Sequence, residues 1–257
     1  MKKGERKMFS TSKKMIVAGI LTLSMLGVGA TAALAEEAAP SADASVSFLS
    51  KYVWRGYELS DDSVVIQPSL SVSYMGFGAN LWANLDTDYI GTDSTKWNET
   101  DLTLSYDGAV DKLGYGVGYI YYALDSVNDT QEIYGTLSYD TLLSPSLTVY
   151  YDIDDFSGDW YANLSISHSF ALSEAVSLDL GFAAGYYYVD DGDYSALHDG
   201  VLSASISFPV GKYVTISPEL HYSFPLSNDA KDFYTATSVD GNDDGYVYGG
   251  VTASFAF

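Results

Sequence analysis

Lys51 and Arg55 stand four residues apart in a stretch that alternates in polarity, with Val46, Phe48, Tyr52 and Trp54 in one phase and Ser45, Ser47, Lys51 and Arg55 in the other. In an extended strand that spacing puts both cations on one face. Later alternating stretches carry isolated carboxylates in the matching phase: Asp101, Glu132, Asp152, Asp179 and Glu219. Two cations facing five carboxylates across a shared interior is the chemistry of ion handling, as a constriction or as a structural ion-pair network. These seven residues are the candidate lining of a pore, and the excess of carboxylate favours cations.

Bond-making chemistry finds less support. The three histidines, His168, His198 and His221, fall in three different segments. His221 shares a face with Glu219 and Ser223, but neighbours two apart on a strand are separated by about 6 to 7 Å, which predicts no hydrogen bond between them. His168 falls in the apolar phase near a turn. A hydrolase of the barrel phospholipase type needs a His and a Ser brought together, and no residue set here makes a triad. The run Asp240-Gly241-Asn242-Asp243-Asp244-Gly245 matches the first half of a calcium loop, making Asp240, Asn242 and Asp244 a weak calcium candidate. Its twelfth position, where a bidentate Glu belongs, is Val251. No other cofactor is expected beyond loosely held calcium or magnesium at acidic loops.

Composition narrows the setting. The chain of 257 residues carries a formal charge of −22, with no cysteine. Six of its 12 Lys and Arg lie before residue 36, in a basic run followed by an apolar run from Met15 to about Ala30 and then Ala33-Leu34-Ala35. That order is a cleavable export signal over residues 1–35, the apolar run being shorter than the ~20 residues of a spanning helix. The exported remainder is more acidic still, which excludes nucleic acid as a partner. Without disulfides, backbone pairing and burial must hold the fold.

The elements that would position these residues are strands. Residues 36–43 read as a short polar lead, and from 44 to 257 alternation recurs about twelve times: near 44–55, 64–74, 77–86, 100–106, 113–124, 131–139, 147–153, 160–170, 176–189, 201–208, 214–224 and 245–257. Most of these runs hold 8 to 12 residues. At ~3.3 Å per residue and ~40° tilt, ~10 residues cover roughly 25 Å, the apolar height of an outer membrane. Connections alternate between short turns such as Met75-Gly76 and longer acidic loops such as Pro225 to Asp244. Aromatic residues bunch at strand ends, as headgroup-level girdles do. The expected fold is therefore all-β: an antiparallel transmembrane barrel of about 12 strands, with short periplasmic turns and longer acidic extracellular loops. A soluble β-sandwich shares the period, but its wet face would more usually carry Lys and Glu than Ser and Gly.

The hairpin Ser50-Lys51-Tyr52-Val53-Trp54-Arg55-Gly56, with Ile66-Gln67-Pro68 and Asn80-Leu81-Trp82-Ala83-Asn84 after it, resembles the start of the TorF-like family of proteobacterial porin-type proteins. The resemblance implies a porin-like barrel of the outer membrane and supplies no substrate. Its partners would be outer-membrane lipid and lipopolysaccharide, the barrel-assembly machinery, and small solutes or cations. A non-conducting structural or adhesive barrel would share every feature except conduction. The last strand ends on Phe257, with Phe255 and Val251 in its phase, and looks like the signal read by the assembly machinery. Deleting Phe257 is expected to lower the fraction of chain that reaches the folded, heat-modifiable form in outer-membrane fractions. Unchanged assembly of the truncated chain would exclude that signal.

Overall fold

The computed structural model describes residues 39–89, 94–125, 127–190 and 194–256. The proposed export signal and Phe257 lie outside the described residues.

Alternation along the chain becomes a closed antiparallel barrel of twelve strands among the described residues. In chain order the wall is β1 (Ser41–Leu49), β4 (Val65–Tyr74), β5 (Phe77–Asp86), β6 (Lys96–Val110), β7 (Leu113–Leu124), β8 (Thr130–Tyr139), β9 (Ser146–Asp152), β10 (Trp160–Ala171), β11 (Ser177–Val189), β12 (Tyr194–Val210), β13 (Val214–Pro225) and β14 (Tyr246–Ala256). A two-residue hairpin, β2 (Val53–Trp54) and β3 (Tyr57–Glu58), and one helix, α1 (Asn228–Thr237), complete it. Each wall strand pairs with its neighbours in sequence, and β14 closes on β1 from Asp43↔Ala256 to Leu49↔Gly250. Closure leaves no row of unpaired backbone groups facing lipid.

The apolar phase faces outward. Leu70, Val72, Leu81, Leu104, Val117, Leu137, Leu164 and Leu202 are exposed on the outer surface, where a bilayer supplies the apolar solvent. Tyr74, Phe77, Tyr106, Tyr139 and Phe208 are exposed at the short-turn end. At the other end Trp160 stacks between Tyr186 and Tyr188, with ring centroids 5.2 and 5.9 Å away. Outward His168 packs edge-on against Phe170 at 4.5 Å and bonds the Leu142 carbonyl, which fits a rim residue.

Three sequence expectations change. The first strand begins at Ser41 instead of 44, because pairing with β4 begins at Ser41↔Ser73. Residues 190–200 are expected as a loop ahead of a strand at 201–208, yet β12 runs from Tyr194; a bulge between Ala184 and Tyr186 on β11 absorbs the register break. The largest change is at 44–55. β1 stops at Leu49, and residues 50–64 turn into the barrel instead of continuing the wall. Arg55 (φ 46°) and Gly56 (φ 80°) are both left-handed, the backbone of a two-residue I′ turn. Arg-Gly between Trp54 and Tyr57 is the same kind of signal as Met75-Gly76, and it marks a hairpin tip where a long strand was expected. Tyr52 and Trp54, expected in the outward, apolar phase of the first strand with Val46 and Phe48, lie inside: Tyr52 is 1% exposed, and Trp54 stacks on Tyr57.

Seam residues leave no room for a larger side chain. A Cβ at Gly250 would collide with the Phe48 carbonyl oxygen, and one at Gly249 with the Glu219 carbonyl oxygen. Gly250→Ala is expected to cost about 1–3 kcal/mol by overpacking the β1–β14 junction. Urea unfolding of protein refolded in vesicles measures this, and an unchanged midpoint would refute it.

Candidate functional site

The barrel interior has two unlike halves. Toward the short turns it is lined by small polar residues: Ser69, Ser71, Asn80, Ser105, Thr136, Ser138 and Ser165, all half-buried. These side chains fill little volume. Toward the long loops the inward phase turns aromatic, with Tyr122, Tyr150, Tyr161, Tyr187, Tyr246 and Tyr248 buried. Into that half descend the 50–64 hairpin and α1.

The helix is too short to persist alone, and it is held at three places. Ser227 caps it, its Oγ accepting from the Ala230 amide at 3.1 Å. Ala230 and Tyr234 are fully buried, and Tyr234 stacks on Tyr246 at 5.4 Å and 14°. The Tyr234 hydroxyl bonds Ser223 Oγ on the wall at 2.9 Å. Hairpin and helix also touch one another. Tyr57 meets Phe233 edge-on at 4.8 Å, and the Val239 amide donates to Glu58 Oε2 at 2.9 Å. His198 joins all three: its Nε2 donates to the Arg55 carbonyl at 2.9 Å while its ring lies 4.7 Å from Phe233. A carbonyl only accepts, so Nε2 carries the hydrogen and Nδ1 is left to accept from Tyr194.

Arg55 forms the centre of the site. Nη1 and Nη2 each donate to one Glu132 oxygen, at 2.6 and 2.8 Å, the bidentate geometry that a guanidinium favours. Tyr122 donates to the same carboxylate at 2.8 Å. Rings of Trp54, Tyr150 and Tyr161 lie 4.5, 4.5 and 4.7 Å from the guanidinium carbon, each within cation–π range. Burial disfavours the charged guanidinium, but attraction to Glu132 outweighs it and raises the pKa overall. Lys51 is held in the same manner: it pairs with Glu58, and with Asp62 at 2.7 Å, beneath the Tyr246 ring. There too burial alone would lower the pKa, and the bonds to Asp62 and Glu58 raise it.

The seven residues expected to share an interior wall all lie inside the barrel, buried, but they do not form one ring. Arg55 and Glu132 are joined. Lys51 instead pairs within its own hairpin. Asp152 accepts from Thr130 and from the Asp154 and Phe156 amides, and so fastens the loop after β9. Asp179 lies toward the short turns, accepting from Ser177 and Ser207 at 3.0 and 3.4 Å. Asp101 faces Tyr122 across the β6–β7 pairing, and its buried Oδ1 has no hydrogen-bond partner among the described residues. Glu219 accepts from Thr252 at 2.5 Å, and contrary to expectation it reaches His221 Nε2 at 2.9 Å. The 6 to 7 Å spacing separates backbones, whereas two long inward side chains converge. Ser223 bonds Tyr234 and not a histidine, so no triad forms there.

In the acidic run 240–245 the candidate ligand side chains of Asn242 and Asp244 are engaged with protein partners. Asp244 pairs with Lys231 at 2.8 Å, and Asn242 Nδ2 donates to the Asp240 carbonyl. No cluster of three or more metal-ligating side chains occurs among the described residues. Sequence reasoning did not find Glu58, Glu99, Asp199, His198 or the Tyr cage. Glu99 and Asp199 are in the inward phase of strands that start earlier than expected, and alternation places the cage tyrosines inward without showing that they converge.

A closed twelve-stranded antiparallel barrel with apolar outer wall and polar interior is the outer-membrane channel class of fold. Two solved structures share it. A porin called NanC is 13% identical with a TM-score of 0.53, over 83% of this chain and 98% of that one. The COG4313 outer membrane channel from Pseudomonas putida F1 is 11% identical with a TM-score of 0.52, over 91% of this chain and all of that one. No family model matches the chain, and no curated protein matches it.

Removing Glu132 strands a buried guanidinium. Glu132→Ala is expected to destabilise the barrel by about 3–5 kcal/mol, and Arg55→Ala combined with it by clearly less than the sum. Urea unfolding of the two single variants and the double variant measures this; additive effects would show that the pair is not coupled.

Proposed function

We propose that this protein is a passive outer-membrane channel for small hydrophilic solutes with a preference for cations. One observation carries the preference. Inside the barrel Lys51 and Arg55 stand against Glu58, Asp86, Glu99, Asp101, Glu132, Asp152, Asp179, Asp199 and Glu219, all buried. Carboxylate in such excess within low-dielectric walls concentrates cations and repels anions. The small-residue half is the wide vestibule of this channel, and the Tyr-lined half, narrowed by hairpin and helix, is its constriction. On the same reading residues 1–35 are the export signal, and the final strand with Val251, Phe255 and Phe257 is the signal for the assembly machinery. The acidic loops face lipopolysaccharide through divalent ions, and the chain is allied to the TorF-like family through its first hairpin.

A non-conducting structural barrel is favoured by a different observation, the degree to which the long-loop half is filled: Tyr52, Tyr234 and His198 are each 1% exposed or less. Planar-bilayer recording separates the readings. Discrete conductance steps with a reversal potential favouring potassium over chloride are expected. Steps that favour chloride would overturn the cation preference, and absence of steps would favour the structural barrel.

A further inference from the structure

Arg55 is held as a bound ligand would be. Its guanidinium is contacted by one carboxylate and three aromatic faces, and two of those faces, Tyr150 and Tyr161, belong to the wall along with Glu132 and Tyr122. Only the third face, Trp54, comes with the hairpin. The wall therefore presents a carboxylate in an aromatic box whatever fills it, and burying that charge without a cation would be costly.

Two further features show that the tethered arginine satisfies this seat incompletely. Arg55 Nε is buried without a hydrogen-bond partner among the described residues, and so is Oδ1 of Asp101, which is 6% exposed and faces the Tyr122 that bonds Glu132. The residue also holds its side chain in place from a left-handed backbone, φ 46°, a conformation that costs energy in any residue but glycine.

We propose that the box of Trp54, Tyr150, Tyr161 and Glu132 is a recognition subsite for solutes bearing a guanidinium group, with Arg55 as its tethered occupant. The inference rests on the channel reading and names the solute class it favours. A planar delocalised cation gains from stacking and from the two-point carboxylate contact together, which a spherical metal ion or a neutral urea does not. An incoming guanidinium competes with the Arg55 side chain and inherits its contacts, so occupancy of the box by solute and by the Arg55 guanidinium are alternatives.

Full-length protein carrying Arg55→Ala leaves the box built and the seat empty. Calorimetric titration with free arginine is expected to show binding at least about tenfold tighter than to the unaltered protein, where a tethered group competes at high effective concentration. Citrulline, which replaces the guanidinium by a neutral urea, is expected to bind at least about tenfold more weakly than arginine. Millimolar guanidinium ion, far below denaturing levels, should restore the thermal midpoint lost in Arg55→Ala, and should not do so in Arg55→Ala/Glu132→Gln. Equal binding of arginine and citrulline, or no binding and no rescue, would overturn the subsite. Should Arg55→Ala fail to fold, the unaltered protein decides: arginine but not citrulline should speed hydrogen exchange across residues 50–64, and equal exchange with both would overturn the proposal. Binding without conductance would sink the channel reading and leave the subsite standing; conductance without binding would do the reverse.

Discussion

Hydrocarbon offers a backbone no hydrogen-bond partner, and that constraint shapes every part of this molecule. Twelve strands satisfy one another only if the last meets the first, so the geometry of the β1–β14 seam matters more than that of any other pair. At the seam the chain uses Gly250, where a Cβ would strike the Phe48 carbonyl oxygen of β1, and next to it Gly249, where one would strike the Glu219 carbonyl oxygen of β13. Once closed, the wall has no edge to protect. It also acquires an inside whose solvent is decided by side chains instead of by lipid.

That inside is graded along the axis. Near the short turns the inward phase is Ser, Thr, Asn and Gly, residues that fill little volume. Near the long loops it becomes Tyr, a residue that fills volume and still presents a hydroxyl for hydrogen bonding. Tyr161 to Asp199, Tyr122 to Glu132 and Tyr234 to Ser223 are examples, each at 2.8 to 2.9 Å. Aromatic packing makes a floor on which the 50–64 hairpin and α1 can settle. Without those rings the two inserts would have little apolar surface to bury, and their ordering would be hard to sustain.

Charge then fixes the inserts in register. Arg55 reaches Glu132 on β8, Glu58 holds both Lys51 and the Val239 amide, and His198 on β12 ties the hairpin tip to the helix through the Arg55 carbonyl and Phe233. Buried pairs of this kind contribute little net stability over an apolar replacement, yet breaking one side is costly, so they specify one arrangement among several. Carboxylate remains in excess over these pairs, including the buried Oδ1 of Asp101, which has no hydrogen-bond partner among the described residues.

Alternation with period two was legible in the sequence and sufficed for the barrel, because a strand half in lipid and half in water must write its two faces into alternate residues. Strands such as Leu113–Leu124 and Phe77–Asp86 follow directly from it. The inward phase of Asp101, Glu132, Asp152, Asp179 and Glu219 was legible for the same reason, whereas Lys51 and Arg55 are inside because their hairpin leaves the wall, with Tyr52 of the opposite phase buried there too. Alternation does not say where a strand leaves the wall. Residues 50–58 alternate like their predecessors, yet they belong to a hairpin inside the bore, because Arg55 and Gly56 turn the chain and Glu132, 77 residues later, receives the guanidinium. Such partners meet only when the wall curves round on itself, so pairing across the interior and the joining of hairpin to helix were decided by the tertiary structure.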